Sequence, residues 1–233
     1  MKVISVAKNM DLASISLSGC VMKCGYCMHT RQDRKDVPVE KIISDVCVSP
    51  IRRVYVGGME PLVHQKELPH LLQTLKLRGL EVTLKTSGYD PVFLKQISQF
   101  VDKFVFEIKA PMDDVNAWAR LSGHDEAWTK QYLESLHKSL DMTKGRHVKI
   151  MTRAIPGFIS DDAVERIGKQ MAPYAQEALL TQFLGNRMND YPWNGINDAS
   201  PPEADMVRYG EILARHIPTV KVSGAGFERT FSR

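Results

Sequence analysis

The sequence predicts an α/β fold built on parallel strands, and two observations carry the prediction. Short runs rich in β-branched and aromatic residues recur along the chain, and between them lie segments with the apolar period of a helix. Strands alternating with helices in this way imply parallel pairing with right-handed crossovers. That leaves an open doubly wound sheet or a barrel, complete or not. The length of 233 residues, with 43% hydrophobic and 25% charged, suits a folded chain with one sizeable core.

The first strand is expected at 12–18, LASISLS, and a helix near 38–47 leads to the second at 52–57, RRVYVG. A helix near 65–78 precedes the third strand, LEVTLKT at 80–86, and another near 91–100 precedes the fourth, KFVFEIK at 103–109. The helix expected at 125–141 is the clearest. Its Trp128, Tyr132, Leu136 and Leu140 sit four apart, along one face that would pack on the sheet. After the fifth strand at 147–154, Ser160 followed by Asp161 and Asp162 opens a helix at 160–171. The hydroxyl suits an N-cap, and the acids suit the positive end of the helix dipole. The sixth strand is expected at 178–184 and the last helix near 203–215. Between them, GNRMNDYPWNGINDASPP at 185–202 is too rich in Gly, Asn, Asp and Pro for regular structure. Tyr191 and Trp193 suit an ordered flap over a site, and a surface loop is the alternative. The tail at 218–227 forms either a seventh strand or a wrap around the barrel.

A formal charge of +4 is mild and is no basic stripe, so nucleic acid is not an expected partner. No apolar run approaches the roughly 20 residues of a membrane span, and Lys8, Asn9 and Asp11 interrupt any signal-peptide core. These features predict a cytoplasmic protein without membrane contact. In that compartment four cysteines read as metal ligands or reactive thiols rather than disulfides.

Cys20, Cys24 and Cys27 lie within eight residues, directly after the first strand and behind Gly19. Thiolates spaced four and three apart on one curled loop can converge on a single iron–sulfur cluster. Three ligands for four irons leave one iron open, as a catalytic metal requires. Cys47 reads as a small buried residue, with a fourth ligand as the alternative. A zinc site using His29 is the other reading, although zinc motifs supply a second ligand pair well downstream.

This C-x3-C-x2-C loop after the first strand, with Tyr26 before the last cysteine, resembles the radical S-adenosylmethionine (SAM) superfamily. Over about 12–184 the chain resembles the activating enzymes of glycyl radical enzymes, of the anaerobic ribonucleotide reductase and pyruvate formate-lyase type. The segments that carry the likeness follow successive strands. They are Gly57-Gly58-Met59-Glu60-Pro61, Thr86-Ser87-Gly88, Glu107-Ile108-Lys109-Ala110-Pro111, Ala119-Arg120-Leu121-Ser122-Gly123, Ile155-Pro156-Gly157 and Gln182-Phe183. The resemblance implies a partial (β/α)6 TIM-type barrel, forming a single radical SAM domain over 1–233 with 185–233 as its C-terminal loop and helix. It implies a 4Fe-4S cluster on Cys20, Cys24 and Cys27, with SAM on the open iron. One electron would then break a carbon–sulfur bond to give methionine and a 5′-deoxyadenosyl radical. The implied substrate is a glycine of a partner glycyl radical enzyme, and the implied electron donor is a flavodoxin or a ferredoxin.

The residues suit those tasks on their own chemistry. Gly57 and Gly58 allow backbone to approach a ligand. Glu60 is a charged acceptor for an ammonium, Thr86 and Ser87 offer hydroxyls, and Lys109 offers an ammonium to a carboxylate or ribose. Arg153 ends the fifth strand as a counter-charge to an anion. Tyr26 and Glu107 complete the expected cofactor-binding set. The family pattern is Gly-Gly-Glu-Pro, into which Met59 intrudes here. Lys85 and Glu107 stand where the activators carry acids that help hold a monovalent cation, so the Lys85 ammonium, paired with Glu107, is expected in the cation's place. The competing function is a stand-alone radical SAM enzyme on a small molecule, resembling 7-carboxy-7-deazaguanine synthases. A zinc-stabilised module without catalysis is the third.

Overall fold

The computed structural model describes residues 1–27, 29, 32–184 and 200–232. Most of the loop expected at 185–202, Tyr191 and Trp193 included, lies outside them. Two compact units make up the chain. One comprises Met1–Val21, His29–Val105 and Ser135–Arg146; the other comprises Met22–Met28, Phe106–Glu134 and His147–Arg233.

In the first unit β1 (Lys2–Asn9) and β2 (Leu12–Leu17) form an antiparallel hairpin, and the two-residue β3 (Lys35–Asp36) lies on the far edge of β1. The turn uses Met10 at φ 51°, and Asp11 behind it holds Arg53 through both carboxylate oxygens at 2.8 and 3.0 Å. After α1 (Val39–Val46) comes β4 (Arg53–Gly58), parallel to β2 with Ser14 opposite Tyr55. A helix α2 (Leu68–Leu77) then leads to β5 (Glu81–Thr86), parallel to β4. Next come α3 (Pro91–Ile97) and the start of β6 (Lys103–Glu107). Alternation sorts the strand residues: Ala13, Ile15, Val54, Val56, Val82 and Leu84 are fully buried, while Ser14, Tyr55, Thr83 and Lys85 are half-buried. On α2 the four leucines 68, 71, 72 and 75 are fully buried. At i, i+3, i+4 and i+7 they form one stripe, each contributing about 1.5–3 kcal/mol by burial.

The second unit holds α4 (Val115–Ser122) and the first half of α5 (Glu126–Met142). It continues through β7 (His147–Ala154), α6 (Asp161–Met171), β8 (Glu177–Gln182), α7 (Glu203–Ala214), β9 (Thr219–Gly224) and β10 (Phe227–Ser232). Here β7, β8 and β9 pair in parallel, and β10 turns back antiparallel on β9. The 218–227 tail therefore supplies a further parallel strand and the start of its return. Ser160 Oγ accepts from Ala163 N at 3.2 Å, the N-cap expected from sequence. Tyr132, Leu136 and Leu140 are buried as their spacing predicts. Trp128 is half-buried and stacks on His124 with ring centroids 3.7 Å apart.

The α/β class and its parallel β/α order are as expected, with each of the six strands found within two residues at either end. Among the described residues no helix is long and apolar enough to cross a membrane.

Candidate active site

In the first unit the expected residues gather on the loops after β2, β4 and β5. Gly58 closes β4 at φ 93°, and a Cβ there would stand 2.6 Å from both the N and the O of Leu17. Only glycine fits so close an approach between β4 and the end of β2. The next residues tie the two strand ends together: Met59 N donates to Leu17 O and Glu60 N to Gly19 O, each at 2.9 Å. The Met59 sulfur lies 3.3 Å from Gly19 N, so the intruding methionine is folded against the residue that precedes Cys20. His64, which the sequence reading passed over, donates from Nε2 to Ser18 O at 2.7 Å. Cys20 follows this held segment and is partly exposed.

Glu60 is fully buried. Its Oε1 accepts from Leu62 N at 3.0 Å and Thr86 Oγ1 at 2.7 Å, and its Oε2 accepts from Ser87 N at 2.6 Å. Thr86 Oγ1 in turn accepts from Gly88 N at 3.0 Å, and Ser139 on α5 donates to Gly88 O at 2.7 Å. The Thr86 hydroxyl and the Glu60 carboxylate thus bind each other, whereas the sequence reading offered both to a ligand. They join the loops after β4 and β5 into one piece. Burial raises the Glu60 carboxyl above its ordinary range against the pull of these donors. Tyr89, next to the same loop, has its phenol pushed up to about 12 by burial and by the charges of Glu60, Asp90 and Cys20. Gly57 is buried and Lys85 half-buried.

In the second unit Cys24, Tyr26 and Lys109 are exposed by only 8%, 5% and 6%. Lys109 donates to the Tyr26 hydroxyl at 3.1 Å and to Glu107 Oε1 at 2.5 Å. Burial raises the Cys24 thiol above its ordinary value, against the pull of the Lys109 charge. Burial favours the neutral amine, yet the charges of Cys24 and Glu107 hold Lys109 well above its ordinary value. Within this unit the Glu107 carboxylate is held by Lys109. Cys27 is partly exposed, and its N–H meets Cys24 O at 3.1 Å. Arg153 lies half-buried near the end of β7.

The cysteine loop is anchored by α4. Asp114 caps its start by accepting from Ala117 N at 2.9 Å, and Gly123 ends it at φ 72°. Lys23 N donates to Ser122 O at 2.8 Å, and a Cβ on Gly123 would stand 2.5 Å from Lys23 O. The Ala119–Gly123 string is therefore a helix end against which the loop between Cys20 and Cys24 lies. Asp114 and Gly123 were the cap signals that could have revealed α4.

Among the described residues no three His, Cys, Asp or Glu side chains form a ready metal site. Metal binding and local ordering are coupled, so the donor chemistry is the test of fit. None of the four cysteines forms a disulfide, and Cys24 is buried in the same unit as Tyr26 and Lys109. Burial raises the Cys24 thiol against the pull of the Lys109 charge, and the fit lies in the donor set itself, three cysteines on one short loop, which is the chemistry that holds an iron–sulfur cluster.

The chain belongs to the radical SAM superfamily, whose family model matches residues 14–166. That family uses a 4Fe-4S cluster and SAM. A protein of Methanocaldococcus jannaschii, assigned by name alone to the glycyl-radical enzyme activating enzymes, is 22% identical over 217 residues, 90% of this chain and 88% of that one. A 7-carboxy-7-deazaguanine synthase of Methanospirillum hungatei is 30% identical over 79 residues, 33% of this chain and 34% of its own. Among solved structures, Streptococcus suis SuiB bound to S-adenosylmethionine aligns with a TM-score of 0.62 at 16% identity, covering 89% of this chain and 48% of SuiB. That likeness shows the fold.

Proposed function

We propose that this radical SAM enzyme takes a hydrogen atom from a glycine of a partner glycyl radical enzyme. The observation that carries the reading is the M. jannaschii relative, matched over nearly the full length of both chains. The synthase likenesses extend over 33% and 48% of the chain. In this reading Cys20, Cys24 and Cys27 would hold the cluster, and SAM would bind beside it. The bound pair supplies a 5′-deoxyadenosyl radical for the abstraction. Gly57 and Gly58 let backbone approach the SAM amino group, and the Glu60–Thr86–Ser87 piece keeps the neighbouring loops in place. Arg153 offers the counter-charge to a carboxylate. A flavodoxin or ferredoxin delivers the electron, and the chain acts as a single radical SAM domain in a cytoplasmic setting.

The second reading is the small-molecule enzyme, which the synthase likeness favours. Dithionite-reduced protein with SAM and a glycine-bearing peptide of the partner separates the two. An activating enzyme forms 5′-deoxyadenosine in proportion to peptide and leaves a peptide radical visible by electron paramagnetic resonance (EPR). Deoxyadenosine formation indifferent to the peptide, but stimulated by the synthases' small-molecule substrate, would overturn the first reading.

A further inference from the structure

We propose that Met59 is a positioning residue for Cys20. Its thioether accepts the Gly19 N–H and fixes the chain where the cysteine loop begins, before any cluster is bound. The inference rests on Cys20 being a cluster ligand. It gives a task to the residue by which this chain departs from the Gly-Gly-Glu-Pro pattern.

The two residues before Cys20 have all their backbone groups bound. Ser18 N donates to Lys2 O and Glu60 N to Gly19 O, each at 2.9 Å, and His64 Nε2 donates to Ser18 O at 2.7 Å. The fourth group is the Gly19 N–H. Its acceptor is the Met59 sulfur at 3.3 Å, and the Ser18 hydroxyl meets the same sulfur at 3.9 Å. Met59 N donates to Leu17 O at 2.9 Å. The methionine therefore holds the end of β2 by its backbone and Gly19 by its side chain.

The conformation of Gly19 explains the need for such an acceptor. Its φ of 103° turns the chain out of β2, and a half-buried N–H left unpaired there would cost stability. The flexible methionine side chain can fold back onto Gly19, whereas a glycine at 59 would bring no acceptor. A thioether is a weak acceptor, but this one holds the residue bonded to a candidate ligand. Backbone ordered in advance need not be ordered when the cluster binds, so the cost of binding falls. Loss of the sulfur should loosen Cys20 and leave the strands as they are.

The test compares the wild type with M59L, which keeps an apolar side chain of like size without an acceptor, and M59Q, which restores one. In metal-free protein the Gly19 amide of M59L should exchange about fivefold faster, the worth of one weak hydrogen bond, with β5 amides unchanged. After anaerobic reconstitution, EDTA should strip iron from M59L about fivefold faster than from the wild type, by the same loss. M59Q should recover most of both effects, which a packing role alone for Met59 would not allow. Equal Gly19 exchange in the wild type and M59L would overturn the proposal, and so would an M59Q that matches M59L. Should M59L fail to fold, the wild type decides, since a Gly19 amide exchanging as fast as an unprotected glycine overturns it. Wild-type protein that takes up no iron and sulfide would defeat the cluster assignment itself, a result distinct from an unprotected amide.

Discussion

Glu60 shows how far a residue's identity and its task can part. The Glu-Pro string marked it from sequence, and its charge suggested a ligand contact. Burial decided otherwise, because a carboxylate closed to water must satisfy its oxygens within the protein. Three donors from two loops do so. E60Q replaces one acceptor oxygen with an NH2 group, leaving a buried donor facing another donor. The variant should lose about 1–3 kcal/mol of stability, read as a lower urea midpoint, and bind SAM more weakly because the loops after β4 and β5 separate. A pH series adds a sign. Burial raises the folded carboxyl above 4.5, so folding favours the protonated form. That contribution is complete below the unfolded value and is lost as pH rises through the folded one. The stability difference between wild type and E60Q should therefore shrink as pH rises across that window, and a difference that grew would mean that the donors outweigh burial. Tyr26 and Lys109 were equally legible as residues, but their contact across 83 positions exists only after folding.

Elements were more legible than roles where they bury a full face. The strands β2, β4, β5, β7 and β8 each put alternate residues into a core, and that alternation is written in the chain. β1 was missed because Val3 alone in it is buried, which leaves no period to read. α4 was missed because its eight residues span barely two turns, too few for a periodic signal, although its caps were present. That short helix has a clear task, since its C-terminus holds the backbone between two of the candidate ligands. G123A would impose a left-handed conformation on alanine and push a methyl group to 2.5 Å from Lys23 O. Strain of this kind costs about 1–3 kcal/mol, and the loop has to shift to relieve it. The expected outcome is faster amide exchange at Lys23 and lower iron retention after desalting, with exchange in β8 and β9 unchanged. Wild-type protection at Lys23 would show that the loop does not depend on α4.

At the scale of the whole molecule, the order of strands and helices was readable because each β/α step repeats one physical pattern. The division into two interleaved units was not, since it depends on which distant segments pack together. Cysteine usage is also a whole-chain property, and it yields the sharpest test of the ligand set. The chain has four cysteines. Cys47 caps the end of α1, where its N–H donates to Ile43 O and burial raises its thiol. Cys47 stands twenty positions beyond the cysteine loop, half-buried at a helix end, so it reads as a packing residue. C47S should therefore keep about four irons per chain with the same EPR signal in the reduced state. C20S, C24S and C27S should each lose most of that iron, and with it all SAM cleavage. If C47S loses iron as the others do, the cluster has four protein ligands and no open iron for SAM. The radical chemistry proposed for this chain would then have no place to begin.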